Sequence, residues 1–464
     1  MQRKSGILLH PSTLYGGYSI GSFGRGARDF VDFLYECGFG VWQTLPFCMT
    51  DEFNSPYKSP AAFSLNPYFI DLPTLFDKGY INKNELTSAR EREGYLCEFE
   101  RLKGERIPLL MRAAERAVSD KKTRLLCEKF SDKNPRIKSA CAFLSLRYGG
   151  EEILWQFLHC EFFTEWQSVK KYANEKGVEI IGDIPIYVSF DSIDVREAPE
   201  SFALDGDGFP SEVAGVPPDY FSSDGQLWGN PLYNYENMEK NSFSWWRERI
   251  RHTLSLFDGA RIDHFRGFDA YFSIPRGKSA REGKWKKGPG ERLIEVICKE
   301  AGDKLLIAED LGDIDDSVRE LIRRFSLPGM RVFEFAFLGD KNSPHLPHNY
   351  INNSVAYSST HDNNTLLAYL FECDSGARRR IFDYCDYEGD NIDVGMRAVI
   401  KTLFSSSAGL VILPIQDILG FGADTRMNTP GRAEKNWGFR ITEEQLFSID
   451  RAYFRELNDL YGRG

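Results

Sequence analysis

The chain has 464 residues, of which 42% are apolar and 27% charged, and these values exclude a disordered chain. Its net charge of −10, with only a short basic cluster at residues 378–380, argues against nucleic acid or an anionic membrane as the main partner. The longest apolar stretch, near residues 408–415, is far shorter than the ~20 residues that span a bilayer. Nine widely spaced cysteines without a CxxC pair predict free thiols, and we expect a soluble, cytoplasmic protein.

Short apolar runs rich in β-forming residues alternate with amphipathic helical patterns along the chain. The predicted strands are 6–10, 41–46, 179–184, 259–263, 304–309, 330–335, 355–358 and 410–414. The predicted helices are 25–37, 152–176, 243–256, 291–301, 317–325 and 395–404, with a further helical run at 443–460. Most of the strands are continuously apolar, which is typical of a parallel sheet buried on both faces. Eight strand–helix repeats predict an α/β fold of the (β/α)8 barrel type.

Three long insertions interrupt the predicted repeats. They cover residues 47–150, 185–240 and 264–290. Loops that follow the strands of such a barrel lie on its catalytic face, so we expect the insertions to wall a cleft as subdomains of a single domain, 1–464. Only about 50 residues follow the last predicted strand, which leaves no room for a C-terminal β-sandwich domain.

Ionisable residues stand at the ends of four predicted strands. They are Asp183 on the third, Arg261 and Asp263 on the fourth, Glu309 and Asp310 on the fifth, and His361 and Asp362 after the seventh. One such residue alone is more often a helix cap or a satisfied loop residue, and we favour a helix cap for Asp310. Four coinciding ends on one predicted face indicate instead an active site for a carbohydrate.

The types of these residues suit a retaining glycosidase mechanism. Strand geometry places Arg261 and Asp263 on one face, so we expect the guanidinium to lower the pKa of Asp263 and keep it ionised. An Asp and a Glu on neighbouring strands can act as nucleophile and general acid at a separation of about 5–5.5 Å. Asp362 would crowd the pair and hold sugar hydroxyls in the transition state.

Other chemistries find less support in the sequence. No Walker lysine or HExxH pair is present, and the GxSxG match at residues 17–21 does not connect a predicted strand directly to a helix as a nucleophile elbow does. Residues 205–208 (Asp-Gly-Asp-Gly) have the composition of a calcium loop but lack a bidentate glutamate at the required offset, so we predict a turn there. The sequence predicts no metal site.

Motifs spread over nearly the whole chain resemble those of the amylomaltases, or disproportionating enzymes (4-α-glucanotransferases), a branch of the α-amylase superfamily. They are GILLHP (6–11), GSFG (21–24), WQTLP (42–46), NSPY (54–57), GDIPIYV (182–188), GVPPDYF (215–221), GQLWGNP (225–231), RIDHFRG (261–267), AEDLG (308–312), THDN (360–363), QD (416–417), RMNTPG (426–431) and NW (436–437). Each motif is weak alone, but their order and coverage are specific.

The resemblance implies roles for individual residues and no metal or organic cofactor. Asp263 matches the nucleophile, Glu309 the general acid/base and Asp362 the transition-state stabiliser. The supporting residues that the resemblance implies are Arg261, Asp183, His361 and Tyr57 in the donor subsite, Tyr220, Phe221, Gln226 and Trp228 on the acceptor side, and Asn428 in the glucan groove.

The activity implied is transfer of an α-1,4-glucan segment to the 4-hydroxyl of glucose or a maltooligosaccharide through a covalent glycosyl-enzyme. Two alternatives stay open at this point. One is an α-1,4-glucan hydrolase of the amylase type, which would release products without making longer oligosaccharides. The other is a catalytically inactive barrel that binds glucan, against which the presence of all three carboxylates argues.

Overall fold

The computed structural model describes residues 1–218 and 224–464, and its centre is a closed barrel of eight parallel strands. The strands are Lys4–Leu8, Val41–Gln43, Glu179–Ile184, Gly259–Ile262, Leu305–Ala308, Gly329–Val332, Ser354–Tyr357 and Leu410–Pro414. Each pairs with the next one along the chain, and the eighth closes the barrel on the first, with Leu410 opposite Lys4. The predicted fold class and all eight predicted strands are confirmed.

The helices between the strands also follow the prediction, with ends shifted by a few residues. They are Arg25–Cys37, Glu152–Glu175, Ser244–Leu256, Glu291–Ala301, Asp316–Arg324 and Ile392–Ser405. The final helical run is two helices, Glu443–Ser448 and Arg451–Leu460. The first ends at Ser448, and Asp450 caps the second by accepting a hydrogen bond from the Tyr453 N–H.

Further helices lie in the insertions and in the last third of the chain. Residues 47–150 contain Leu72–Asp77, Lys83–Ser88, Phe99–Arg101, Ile107–Ser119, Lys121–Lys133 and Pro135–Tyr148. Residues 185–240 contain Ile193–Glu197 and Tyr235–Lys240, and Leu366–Glu372, Ser375–Tyr384 and Ile415–Leu419 follow the seventh and eighth strands. No helix of the described ranges combines the length and apolar character needed to cross a membrane.

Side chains alternate between the inside of the barrel and its helical shell. On the first strand Leu8 belongs to the inner cluster, with Ile181 and Ile307, while Ile7 packs outward. Gly182 on the third strand allows the ring of Phe257 to approach closely, since a Cβ there would lie 2.2 Å from a ring carbon. The barrel therefore has a solid core, and chemistry is confined to its ends.

An aromatic cluster joins the barrel to the long helix Glu152–Glu175. The ring of Phe47 lies 4.7 Å from that of Trp166 and 5.8 Å from that of Phe162, and all three side chains are buried. Aromatic pairs at such distances and angles stabilise a core beyond the area that they bury. Aromatic residues make up 14% of the chain, and those of this cluster serve packing rather than sugar binding.

A second, four-stranded antiparallel sheet is built by two insertions together, which the sequence analysis did not predict. Glu212–Val216 and Gln226–Pro231 come from residues 185–240, and Ala270–Pro275 and Lys284–Lys287 come from residues 264–290. The two inner strands pair across the insertions, with Val213 opposite Ile274. The segment 205–208 is a turn, as predicted, in which Asp205 Oδ1 accepts hydrogen bonds from the N–H groups of Asp207 and Phe209.

Candidate active site

The predicted site residues that are described converge on the carboxyl-terminal end of the barrel. Asp183 and Arg261 lie in the third and fourth strands, and Asp263 and Glu309 follow the fourth and fifth strands directly. Asp362 comes five residues after the seventh strand ends. Parallel strands bring these positions to one face, although the sequence separates them by up to 179 residues.

The guanidinium of Arg261 is the centre of the charged cluster. Its Nη1 donates to both carboxylate oxygens of Asp183, at 2.9 and 2.7 Å, and its Nη2 donates to Asp263 Oδ1 at 2.9 Å. The same Nη2 lies 4.0 Å from Glu309 Oε2. Asp183 and Arg261 face each other in the register of the two strands, so the barrel itself sets this pairing.

The pKa of Asp263 is raised, not lowered as the sequence predicted. Burial is the largest cause, and the charges of Asp183, Glu309 and Asp362 add to it, while Arg261 opposes them. The prediction was wrong because it left out the burial of Asp263. Arg261 does not outweigh burial and the neighbouring carboxylates, and it also binds Asp183. Burial likewise raises the pKa of Glu309. The single positive charge of Arg261 among Asp183, Asp263 and Glu309 favours a cluster that keeps one proton. A protonated carboxyl can act as the acid while an ionised one acts as the nucleophile.

Backbone groups hold the Glu309 carboxylate in place. Its Oε2 accepts a hydrogen bond from the His264 N–H at 2.6 Å, and its Oε1 accepts one from the Leu311 N–H at 2.8 Å. His264 has a φ of +45°, in the left-handed region that non-glycine residues rarely adopt. The residue that follows the predicted nucleophile therefore orients the predicted acid.

Asp310 does not cap a helix as we had predicted. Its Oδ1 accepts a hydrogen bond from the Met330 N–H, and its Oδ2 accepts one from Arg331, so it ties the fifth strand to the sixth. Asp315 caps the following helix instead, through the Val318 N–H. Asp315 lies directly before that helix, whereas Asp310 lies five residues further from it.

Tyr57 and His361 form a parallel stack at the donor end of the predicted site. Their ring centroids are 5.2 Å apart with planes at 2°, and the Tyr57 hydroxyl donates to Asp183 Oδ2 at 2.6 Å. Trp437 lies tilted against both rings, at 5.8 and 6.1 Å. Burial lowers the pKa of His361, so a neutral ring contacts Asp362 Oδ2 at 3.3 Å.

Asp362 is held by residues that follow the eighth strand. Its Oδ1 accepts a hydrogen bond from Asn428 Nδ2 at 2.6 Å, and its backbone oxygen accepts one from Arg426 Nη2 at 2.5 Å. The Asn428 N–H in turn donates to the His361 carbonyl at 3.0 Å. Asn428 thus contacts a predicted catalytic residue directly. Sequence reasoning missed Arg426 and Trp437 as site residues, although both lie in quoted motifs.

The predicted acceptor side is only partly described. Gln226 and Trp228 lie on the strand Gln226–Pro231 of the antiparallel sheet, and Trp228 Nε1 donates to Gln226 Oε1 at 3.0 Å. The indole of Trp228 stands edge-on to His264, with ring centroids 4.9 Å apart. This contact links the sheet to the residue after Asp263. Tyr220 and Phe221 lie outside the described residues.

The donor set of the site suits a sugar rather than a metal. Within residues 1–218 and 224–464, no group of three or more His, Cys, Asp or Glu side chains is placed to hold a metal ion. The cluster around Arg261 instead combines charged hydrogen-bonding groups with the Tyr57, His361 and Trp437 rings, against which the C–H face of a sugar can pack.

A closed (β/α)8 barrel with paired carboxylates at the strand ends is an architecture that carries enzyme chemistry on this face. A family model described as 4-alpha-glucanotransferase matches residues 9–157 and 148–445 of the chain. The chain belongs to the 4-alpha-glucanotransferase family.

Individual relatives match over almost their whole length. The 4-alpha-glucanotransferase of Aquifex aeolicus is 39% identical over 99% of both chains, and that of Clostridium butyricum is 38% identical over 98% of this chain and 100% of its own. The solved structure of an amylomaltase from Streptococcus agalactiae in complex with acarbose superposes with a TM-score of 0.95 at 33% identity, covering 100% of both chains. The enzyme class and the predicted family are thereby confirmed.

Proposed function

We propose that this 4-alpha-glucanotransferase works by retaining double displacement at Asp263, Glu309 and Asp362. The observation that carries the proposal is the hydrogen bonding of Arg261 to both Asp183 and Asp263, 4.0 Å from Glu309. It joins the proposed nucleophile and the proposed acid in one buried, electrostatically coupled cluster.

In the first half-reaction, Asp263 Oδ attacks the anomeric carbon of an α-1,4-linked glucose unit. Glu309 gives its proton to the leaving 4-oxygen, and the glycosidic bond breaks with inversion to leave a glycosyl ester on Asp263. In the second half, the ionised Glu309 takes a proton from the 4-hydroxyl of an acceptor, which displaces Asp263 with a second inversion. Net retention and a new α-1,4 bond follow.

The other predicted residues would hold the two sugars. Asp362 would bind ring hydroxyls more strongly in the oxocarbenium-like transition state, and Asp183, Arg261, His361 and Tyr57 would form the donor subsite. Gln226 and Trp228, with Tyr220 and Phe221, would form the acceptor side, and Asn428 would extend the groove. The acarbose complex of the Streptococcus agalactiae relative supports a sugar ligand for such a cleft.

The insertions would act as walls of this cleft within a single catalytic domain. The antiparallel sheet supports this proposal, because its residue Trp228 contacts His264 beside the nucleophile. Walls that seat an acceptor sugar exclude water from the glycosyl-enzyme, and transfer then prevails over hydrolysis. We place the enzyme in the cytoplasm because its nine cysteines are all unpaired thiols. Its proposed partners are its substrates, α-1,4-glucans and maltooligosaccharides.

Incubation with maltotriose as sole substrate tests the proposed reaction. Separation of the products by chain length should give free glucose and a ladder of longer oligosaccharides, while the number of reducing ends stays constant. Shorter sugars alone with rising reducing ends would show a hydrolase and overturn the transfer proposal. Anomeric analysis of early products by NMR should show retained α configuration.

A further inference from the structure

The segment 358–366 carries Asp362, and both of its ends bind one buried carboxylate. At its start, the hydroxyls of Ser358 and Ser359 donate to Asp417 Oδ2, at 2.6 and 2.9 Å. At its end, the Leu366 N–H donates to Asp417 Oδ1 at 2.8 Å. Asp417 follows the eighth strand and has 0% exposure. A single side chain thus joins the two ends of the segment to the neighbouring strand.

Between its ends, the segment forms a turn with hydrogen bonds of its own. Thr360 Oγ1 donates to Asn363 Oδ1 at 2.6 Å and accepts a hydrogen bond from the Asp362 N–H at 3.2 Å. These contacts fix the shape of the turn but not its place in the barrel. Its place depends on contacts to other elements. Asp417 binds the two ends, Arg426 and Asn428 bind the middle, and the His361 ring packs against Tyr57 and Trp437.

Packing behind the segment is incomplete. A small cavity of about 20 Å³ lies there, lined by residues of the segment, including Thr360 and His361, and by His10 and Gln416. A space of this size holds about one water molecule. This space leaves room for a small shift of the segment when the Asp417 contacts are lost.

We propose that Asp417 is a positioning residue for the transfer reaction, which fixes the Asp362 carboxylate beside the Arg261 cluster by holding both ends of the segment 358–366. The proposal rests on the proposed role of Asp362 in the transition state. Asp417 does not reach the reacting atoms itself, since its two oxygens are occupied by Ser358, Ser359 and Leu366.

The ionised carboxylate is the form that fits this position. Three donors converge on two oxygens, so both oxygens must accept. Serine hydroxyls can rotate to accept from an amide, but the Leu366 N–H cannot. An asparagine at 417 therefore keeps part of the arrangement, whereas an alanine leaves all three donors without this partner.

Kinetics in two backgrounds test the proposal. We expect Asp417→Ala to lower kcat about 10²-fold, the loss typical of a misplacement near 1 Å, and Asp417→Asn to lower it less. The KM of the donor should change less than about threefold, because Tyr57 and Asp183 stay in place. An activated donor, α-maltotriosyl fluoride, keeps slow variants measurable.

The background variant is Asp362→Asn. If Asp417 acts through Asp362, Asp417→Ala should cost less than about twofold once Asp362 has been replaced. An equal loss in both backgrounds would overturn the positioning role and leave the role of Asp362 intact. Wild-type turnover of Asp362→Asn would overturn the role of Asp362 and the present proposal with it.

Two further variants separate positioning from stability. Glu165 is also buried, accepts the Asp71 N–H at 2.9 Å and lies on the helix Glu152–Glu175 outside the insertions, so Glu165→Ala should lower the free energy of unfolding while kcat stays within about twofold. If Asp417→Ala fails to fold, Ser358→Ala combined with Ser359→Ala removes one end of the clamp. That double variant should lower kcat in the wild-type background but by less than about twofold in the Asp362→Asn background. An equal fall of kcat in both backgrounds would likewise overturn the proposal.

Discussion

The buried guanidinium of Arg261 donates to both oxygens of Asp183 across neighbouring barrel strands, and the two side chains are 5% and 0% exposed. Removal of one partner leaves a charge without its full compensation. We expect Asp183→Ala to lower the free energy of unfolding by about 3 kcal/mol, measured by denaturant titration. The exposed pair Arg319–Asp316 is the control, and Asp316→Ala should leave stability nearly unchanged. Equal effects of the two variants would contradict the importance of burial.

Asp263→Asn tests the covalent step. The amide cannot attack the anomeric carbon, so transfer should fall by at least about 10⁴-fold while calorimetry still detects maltohexaose binding. Asp313→Asn replaces an exposed carboxylate that follows the fifth strand on the same face and should retain full activity. Transfer by Asp263→Asn at a rate comparable to the wild type would rule out this nucleophile.

Glu309→Gln tests the proton transfer. Loss of the general acid should slow reaction of maltotriose about 10²–10⁴-fold, but should slow a glycosyl fluoride much less, because fluoride leaves without protonation. Azide should partly restore turnover of the glycosyl fluoride by Glu309→Gln. Azide can attack the glycosyl-enzyme without a general base, whereas a sugar hydroxyl needs one. An equal loss on natural and activated donors would contradict the assignment.

The pH dependence of stability follows from Glu334, which is buried after the sixth strand. Burial, together with the charge of Asp417, raises the pKa of Glu334 well above its ordinary value. The folded state then binds a proton that the unfolded state releases near pH 4.3, so this contribution to stability is complete below that pH and falls as pH rises toward the folded pKa. Its slope is up to about 1.4 kcal/mol per pH unit.

Glu334→Gln keeps a neutral group of the same shape at every pH. Denaturant titrations between pH 5 and 8 should therefore show a flatter decline for this variant than for the wild type. Glu200→Gln, on an exposed residue, should reproduce the wild-type slope. An unchanged slope in Glu334→Gln would show that Glu334 is ionised in the folded protein.

The barrel was predictable because its strands are buried on both faces and stand out as continuous apolar runs. The antiparallel sheet was not, because its strands are short, half exposed and set among glycine and proline residues that indicate turns. Each insertion forms one hairpin, and the four-stranded sheet arises only because the inner strands of the two hairpins pair with each other.

The site residues likewise fall into predictable and unpredictable ones. Asp263 and Glu309 were predictable because each is a carboxylate directly at the end of a predicted barrel strand. Asn428 came only from family resemblance, and Asp417 and Arg426 were missed. All three follow the eighth strand and bind the segment 358–366 because that strand pairs with the seventh, a contact between distant parts of the chain. The direction of the pKa shift at Asp263 depended first on burial and then on the carboxylates around it, which no spacing reveals.

The antiparallel sheet takes half its strands from before the nucleophile strand and half from after it. Trp228 lies on its outermost strand, and the hairpin that completes it begins at Ala270, seven residues after Asp263. Each half forms a hairpin of its own, but its inner strand, Glu212–Val216 or Ala270–Pro275, loses one of its two hydrogen-bonded neighbours without the other half. A chimera that exchanges one insertion alone would therefore keep the whole sheet only if its inner strand still pairs with the inner strand of the other insertion, as Val213 does with Ile274.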